Sequence, residues 1–225
     1  RRWLVIAEPG SVSNFQVFDT GSPTKAPTAL VLPATVMTQP ATGSQALTLV
    51  EWSSDNRHAL LRHDYDATSE YIMLDREDAA NATNITKLIG TNPTSIALRD
   101  KKFDQLYLYD GATRQLVSFN TKTKESDVKI DGVITFKPYA DNMMLYSTAD
   151  PAKPGKTIVR IWNDGKTYTL HTYNETDTLL ELAQFDGAWY VVVVPVKEGR
   201  AYIFKDPLDK LKAKPSAEAT AFAAL

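Results

Sequence analysis

The chain has 225 residues, no cysteine and a formal net charge of −2. That balance offers no basic face for a nucleic-acid backbone, and the missing thiols exclude disulfide frameworks and thiolate metal sites. Hydrophobic content of 43% is ordinary for a chain that buries a core, and no apolar run approaches the ~20 residues of a membrane-spanning helix.

In chain order, the opening RRWLVIA already reads as a strand, Leu4–Ala7, with no charged and apolar leader before it. Pro9-Gly10 ends it, and the strands Phe15–Phe18 and Ala29–Leu32 follow. Gly21–Ser44 is rich in Pro, Thr, Gly and Ser and marks an excursion on one face. The next unit carries strands at Ala46–Val50, Ala59–His63, Tyr71–Leu74 and Ile85–Leu88. A third reads Ser95–Leu98, Leu106–Asp110, Leu116–Phe119 and Val128–Ile130, and a fourth Val133–Phe136, Met144–Ser147, Ile158–Ile161 and Thr167–His171. The last holds Leu179–Leu182, Trp189–Val194 and Tyr202–Phe204. Asp206–Lys214 then reads as a short helix with Asp206 as cap and Pro207 at its first position. The Ala-rich tail is either disordered or a final strand at Phe222–Leu225.

Within each unit the strands are named a to d. Asp or Asn turns precede the b strands: Asp55-Asn56, Asp104-Gln105, Asp141-Asn142 and Asp186-Gly187. Such residues tolerate left-handed backbone at low cost and suit tight hairpins. Asp19, Asp75 and Asn120 close c strands, where a side-chain oxygen can bond the backbone just beyond and start a turn.

Gly111, Gly155 and Gly199 stand at equal steps of 44 residues, each between two strand-like runs. A period in the low forties carrying alternating strands marks a blade-repeat architecture. The expected fold is all-β: a β-propeller of four-stranded antiparallel blades, about five blades or partial blades, forming one domain. The units fall roughly at 1–44, 45–94, 95–132, 133–178 and 179–225. The first has b-c-d and the last a-b-c, so an arc cut from a longer protein is expected, with the closed five-bladed ring as the alternative.

The stretch WSSDNRHALL, Trp52–Leu61, resembles the W-S-P-D-G-K-x-L-A-F signature of bacterial TolB-like and WD-type propeller repeats, with Ser54 in place of the Pro and Asn56 in place of the Gly. Other units keep the Asp alone. The resemblance implies a propeller, and propellers of this kind occur in exported bacterial proteins, sometimes as precursors with a membrane anchor and a small PEGA-type domain. An extracytoplasmic location and a longer parent chain are the corresponding expectations.

Candidate chemistry is sparse. His58 and His63 lie five apart on one strand and face opposite sides, so they do not share a metal; both, with His171, read as surface or loop-edge residues. Asp64, Asp66 and Glu70 in DYDATSE, and Asp75, Glu77 and Asp78 in DREDAANATN, lack the spacing and mid-loop Gly of a calcium loop. Sequons stand at Asn81, Asn84 and Asn174 and read as chance occurrences in a Thr-rich chain. There is no G-x-S-x-G elbow, phosphate loop or sialidase-type Asp box. No catalytic residue, metal site or cofactor is expected. Trp52 and Trp189 read as core residues and Trp162 as the more exposed one.

The leading reading is therefore a non-catalytic module that presents loops to a protein or glycan partner, with no nucleic acid and no membrane span. Its face is the end bearing the b–c and d–a connections: Gly21–Ser44, Arg62–Glu70, Gly90–Pro93 and Ala149–Lys156. Arg62, His63, Asp64, Tyr65, Asp66 and Trp162 are the candidate binding residues. A hydrolase or lyase with a site in the central funnel, and a structural propeller within a larger envelope-associated protein, are the alternatives.

Overall fold

The computed structural model describes residues 3–7, 14–41, 43–139, 142–215 and 218–224, apart from the side chains of Ala7, Val128 and Lys129. The Pro9-Gly10 turn, Asp141 and Leu225 lie outside the described residues.

Strands β1 (Trp3–Ala7), β2 (Asn14–Asp19) and β3 (Thr28–Val31) form a three-stranded sheet in that order. The second sheet joins β4 (Gln45–Trp52), β5 (His58–Tyr65), β6 (Thr68–Asp75) and β7 (Thr83–Asn84), followed by the helix α1 (Ile85–Ile89). The third contains β8 (Ser95–Leu98), β9 (Gln105–Asp110), β10 (Gln115–Asn120) and β11 (Ser126–Ile130). The fourth contains β12 (Val133–Tyr139), β13 (Met143–Ala149), β14 (Thr157–Asn163) and β15 (Lys166–Tyr173). The fifth contains β16 (Thr178–Phe185), β17 (Ala188–Pro195), β18 (Tyr202–Lys205) and β19 (Ala223–Ala224), with the helix α2 (Pro207–Ala213) before its last strand. In every sheet the strands lie in chain order, the meander of a propeller blade.

Two compact units divide the chain: Arg1–Tyr109 with Ser118–Asp127, and Asp110–Val117 with Val128–Leu225. In the first, the second sheet is apolar on both faces because ALL and YIML put bulky residues at consecutive positions of β5 and β6. Leu61, Ile72, Leu74 and Trp52 pack with Phe15, Val17 and Leu30. Their neighbours Leu60, Tyr71 and Met73 point the other way and pack with Ile96, Leu98, Leu106 and Phe119. In the second unit, Met143, Leu145, Val159, Ile161 and Leu170 form one core with Leu182, Val191, Val193, Phe204 and Leu211 of α2.

Turn chemistry follows the sequence. Asp19, Asp75 and Asn120 each accept from the backbone N–H two residues on, at Gly21 (3.0 Å), Glu77 (2.9 Å) and Lys122 (2.9 Å). Asp186-Gly187 is a two-residue hairpin turn with φ of 48° and 74°, the primed geometry that matches strand twist. In the second blade, Asp55 Oδ1 accepts from Arg57 N and His58 N at 2.8 and 3.0 Å, while its Oδ2 lies 2.6 Å from His58 Nδ1.

Three expectations are corrected. Ile85–Leu88 is helical; the d strand is the two residues before it, because Asn84 caps the helix by accepting from Lys87 N and Gly90 closes it at φ 70°. Asp206 holds the N-cap position without capping: its carboxylate instead accepts from Trp189 N at 2.7 Å, tying the end of β18 to the start of β17. The last sheet has a d strand beyond the a-b-c count, within the final-strand reading of the tail at Phe222–Leu225, since β19 pairs with Tyr202 and Ile203.

Trp52 is 6% exposed, whereas Trp189 is half-buried and meets Tyr139 edge-on at 4.6 Å. Trp52→Ala is expected to cost about 3–5 kcal/mol, the range for deleting a buried aromatic, and Trp189→Ala less. Urea midpoints measure both; an unchanged midpoint for Trp52→Ala would remove it from the core.

Candidate functional site

The b–c turn of the second sheet is Asp66-Ala67, two residues between Tyr65 and Thr68, both left-handed with φ of 43° and 61°. The hairpin fixes every cross-strand pair below it: Tyr65 faces Thr68, Asp64 faces Ser69 and His63 faces Glu70. His63 continues the inward row Ala59, Leu61 of β5, so it is buried, not a surface histidine. Its Nδ1 donates to Glu70 Oε1 at 2.9 Å, and its Nε2 lies 2.9 Å from Gln45 Oε1.

Glu70 is 2% exposed and carries the region's hydrogen bonding. Besides His63, its carboxylate accepts from Thr38 N (2.6 Å), Thr38 Oγ1 (2.9 Å) and Asn84 Nδ2 (2.7 Å). Burial pushes its carboxyl up, but these donors outweigh burial and hold it below the ordinary glutamate value. They belong to three segments, so one carboxylate joins loop 32–44, the start of α1 and β5. Asn84 Nδ2 also donates to Val36 O at 2.8 Å, and Asp66 Oδ2 accepts from Ala41 N at 2.6 Å. With Val36 and Met37 buried beneath it, the loop is anchored along most of its length. Asn84 is thus a structural residue: its oxygen caps α1, and its free NH2 donates to Glu70 and Val36.

Beside this loop runs a groove of about 660 Å³, lined by Val31, Leu32, Pro33, Ala34, Met37, Gln39, Gln45 and Ala80. A smaller hollow of about 300 Å³ lies on the hairpin side, against Ser44, Gln45, Asp64, Tyr65, Asp66 and Thr68. Gln45 borders both and also meets His63.

The sequence candidates are distributed as follows. Arg62 Nε donates to Asp64 Oδ1 at 2.8 Å on the face of β5 that bears Leu60. His63 stacks on Tyr65 with ring centroids 5.0 Å apart on the inner face. Asp66 is at the hairpin tip against loop 32–44. Trp162 belongs to the second unit, half-buried on β14 opposite Met144 and Thr167. Sequence reasoning passes over Gln45 and Thr38 and reads Glu70 as a solvated turn residue, whereas it is buried. The signal for Glu70 was present: once Asp66-Ala67 is taken as a two-residue turn, counting back places Glu70 opposite His63.

Near the other end of this sheet, Arg57 grips Asp75 with two bonds of 2.8 and 2.5 Å. The Arg57 bond, with help from Glu77 N, lowers the Asp75 carboxyl to about 2. This pair closes the a–b and c–d turns. Among the described residues, no group of three or more His, Asp or Glu is placed to hold a metal ion, and no helix is long and apolar enough to cross a membrane.

No family model matches the sequence, and no curated protein matches it. Solved structures do. The β-propeller domain of the Trilobed protease from Pyrococcus furiosus, reported to have an open velcro topology, matches at a TM-score of 0.52 and 13% identity, over 98% of this chain and 66% of that one. The tricorn protease matches at 0.52 and 11% identity, over 85% of this chain and 18% of that one. TolB from Acinetobacter baumannii overlaps at 0.47 and 8% identity, over 86% of this chain and 49% of that one. This chain thus covers less than two thirds of each. The fold is a β-propeller, as the repeat period and the TolB-like turn of the second blade lead one to expect.

Two outcomes follow from the hairpin and its carboxylate. A carboxyl depressed in the folded state binds fewer protons there than in the unfolded chain, so Glu70's contribution is full above its ordinary value of 4.5 and is lost as pH falls through its lower folded value. Asp75 adds a similar loss that extends down to about pH 2. Glu70→Gln should therefore cost about 1–3 kcal/mol at pH 7, the range for a buried charged hydrogen-bond acceptor, and should flatten the acid slope of urea stability relative to wild type; equal slopes would show that Glu70 does not hold the loop. Ala67→Gly should stabilise by roughly 0.5–1 kcal/mol, because Ala pays for left-handed backbone that Gly adopts freely. A lower melting temperature for that variant would contradict the turn geometry.

Proposed function

We propose that the chain is a non-catalytic propeller module that binds an extended segment of a protein partner, laid along the edge of β3 and into the groove beside loop 32–44. The groove is the observation that carries this reading. Its lining is mostly aliphatic with two amides, Gln39 and Gln45, and has no aromatic ring on which a sugar could stack. β3 is the last strand of its sheet, and Val31 on it is 61% exposed. An edge strand with an apolar groove alongside suits strand addition, in which main-chain bonds give affinity and pockets read alternate side chains.

Rigidity supports the same reading. A loop held by Glu70, Asn84 and Asp66 loses little freedom on binding, which lowers the ordering cost of association. The smaller hollow around Asp64, Tyr65 and Asp66 offers polar contacts at the groove's far side, where the sequence candidates lie. An exported setting is part of the proposal, supported by the absence of cysteine and by the TolB-like turn at Trp52–Leu61.

Selection of linear peptides on the purified chain tests the proposal, with Val31→Lys and Ala34→Glu as counter-targets, since both positions are exposed. Enriched peptides are expected to lose at least about tenfold in affinity on either variant, roughly 1.4 kcal/mol. Peptides that bind both variants as well as wild type would remove the groove from the site. Binding to a glycan array with no peptide enrichment would favour a sugar ligand instead.

A further inference from the structure

At one end of the fourth and fifth sheets, the inward rows of side chains change character together. Along β13 the row runs Met143, Leu145, Ser147; along β14, Ile161, Val159, Thr157; along β16, Leu182, Leu180, Thr178. Strand register places these ends at the same end of each sheet: Thr157 is level with Ala149 and Tyr173, Ser147 lies diagonally from it, two residues back and level with Val159, and Thr178 faces Pro195. The apolar members of these rows share one core, so the polar ends belong to the same layer.

Ser147 Oγ, Thr157 Oγ1, Tyr173 OH, Thr178 Oγ1 and Glu175 Oε1 are all shielded from solvent and have no hydrogen-bond partner among the described residues. Each residue is at least 96% buried. Leaving one such group unpaired costs about 1–3 kcal/mol, and buried polar groups in folded proteins are almost always satisfied. Five in one layer call for an occupant.

The chemistry of the set narrows that occupant. Glu175 Oε2 accepts from Lys197 N at 2.8 Å, which fixes the carboxylate and leaves Oε1 to the interior. The Val196 N–H to Asp177 O bond of 3.0 Å pins the same connection to the end of β17. One carboxylate and neutral hydroxyl oxygens make a hard, singly negative donor set, too weakly charged for the multi-carboxylate cage of calcium. The surroundings are electronegative as well. Burial first, and then Tyr202, Glu198 and Glu218, push the Tyr173 phenol up. His171 Nδ1 lies 3.0 Å from Glu218 Oε2, and Arg200 is exposed.

We propose that this enclosed layer binds a dehydrated monovalent cation, Na⁺ or K⁺, through Glu175 Oε1 and the hydroxyl oxygens of Thr157, Thr178 and Ser147, with Tyr173 closing the site. The ion ties together the connections 150–156, 174–177 and 196–201, all at the b–c and d–a end of their sheets.

The test is thermal unfolding in KCl, NaCl and N-methyl-D-glucamine chloride at equal ionic strength. A ligand bound to the folded state alone, at a hundredfold excess over its Kd, should raise the melting temperature by roughly 5–10 °C in a chain of this size. The rise is expected in at least one alkali salt and should vanish in Glu175→Gln and Thr178→Val. Identical melting in all three salts would mean that the layer holds water alone and would overturn the proposal. So would a cation effect that survives in both variants, or one produced by calcium and by neither alkali ion. Should the variants fail to fold, wild-type crystals grown with Rb⁺ or Tl⁺ decide: an anomalous peak beside Glu175 supports the site, and its absence there overturns it.

Discussion

A blade of this protein cannot be stable by itself, because its central strands are apolar on both faces. The second sheet shows the constraint most clearly: Ala59 and Leu61 bury against the first sheet while Leu60 buries against the third. Side chains alternate along a strand, so consecutive large residues need a neighbour on each side. Everything else is arranged around that requirement. The inward rows of β5, β13, β14 and β16 turn polar at their ends, where the apolar stack stops.

The two units end their layers in the same chemical manner. In the first, the row Ala59, Leu61 passes into His63, which a buried carboxylate and an amide satisfy. In the second, the rows pass into Ser147, Thr157 and Thr178. A polar layer end does two things: it stops the apolar stack without exposing it, and it anchors the connection that leaves there. Loop 32–44 shows the second effect. Its described residues have no regular secondary structure, yet its backbone groups at Val36, Thr38 and Ala41 all bond side chains from neighbouring segments.

Much of the fold was legible because two independent signals agreed. The even glycine step set the period, and Asp or Asn at strand ends set the turns. The failures are local and have physical causes. ITKLI is β-branched enough to read as a strand, but Asn84 and Gly90 supply a cap at each end and make one helical turn cheaper. Asp206 has the residue type and position of a cap, yet the N–H of Trp189 competes for its carboxylate and wins. The site was legible in outline only. Gly21–Ser44 stood out as an excursion by composition, and Asp64 to Asp66 as a turn. What fixes the loop was not visible, since Glu70 looks like one more acidic turn residue until strand pairing sets it against His63.

The adjacency of Leu60 and Leu61 has an evolutionary corollary. Neighbouring positions on β5 serve different cores, so inserting or deleting one residue there would exchange the occupants of both, placing His63 in the layer that Leu60 now fills. Length variation must therefore be absorbed outside the paired strands. The b–c connections show where that happens: two residues in the second sheet, Asp66 and Ala67, but seven in the fourth, 150–156, with the meander unchanged. Where a strand itself departs from even pairing, as between Leu49 and Glu51 of β4, between Val133 and Thr135 of β12 and at Leu170 of β15, it does so on an outer strand of its sheet, which has a partner on one side only. Divergence in such a repeat is thus expected to run along the ends and outer strands of the blades, leaving the spacing of the middle strands intact long after their residues have changed.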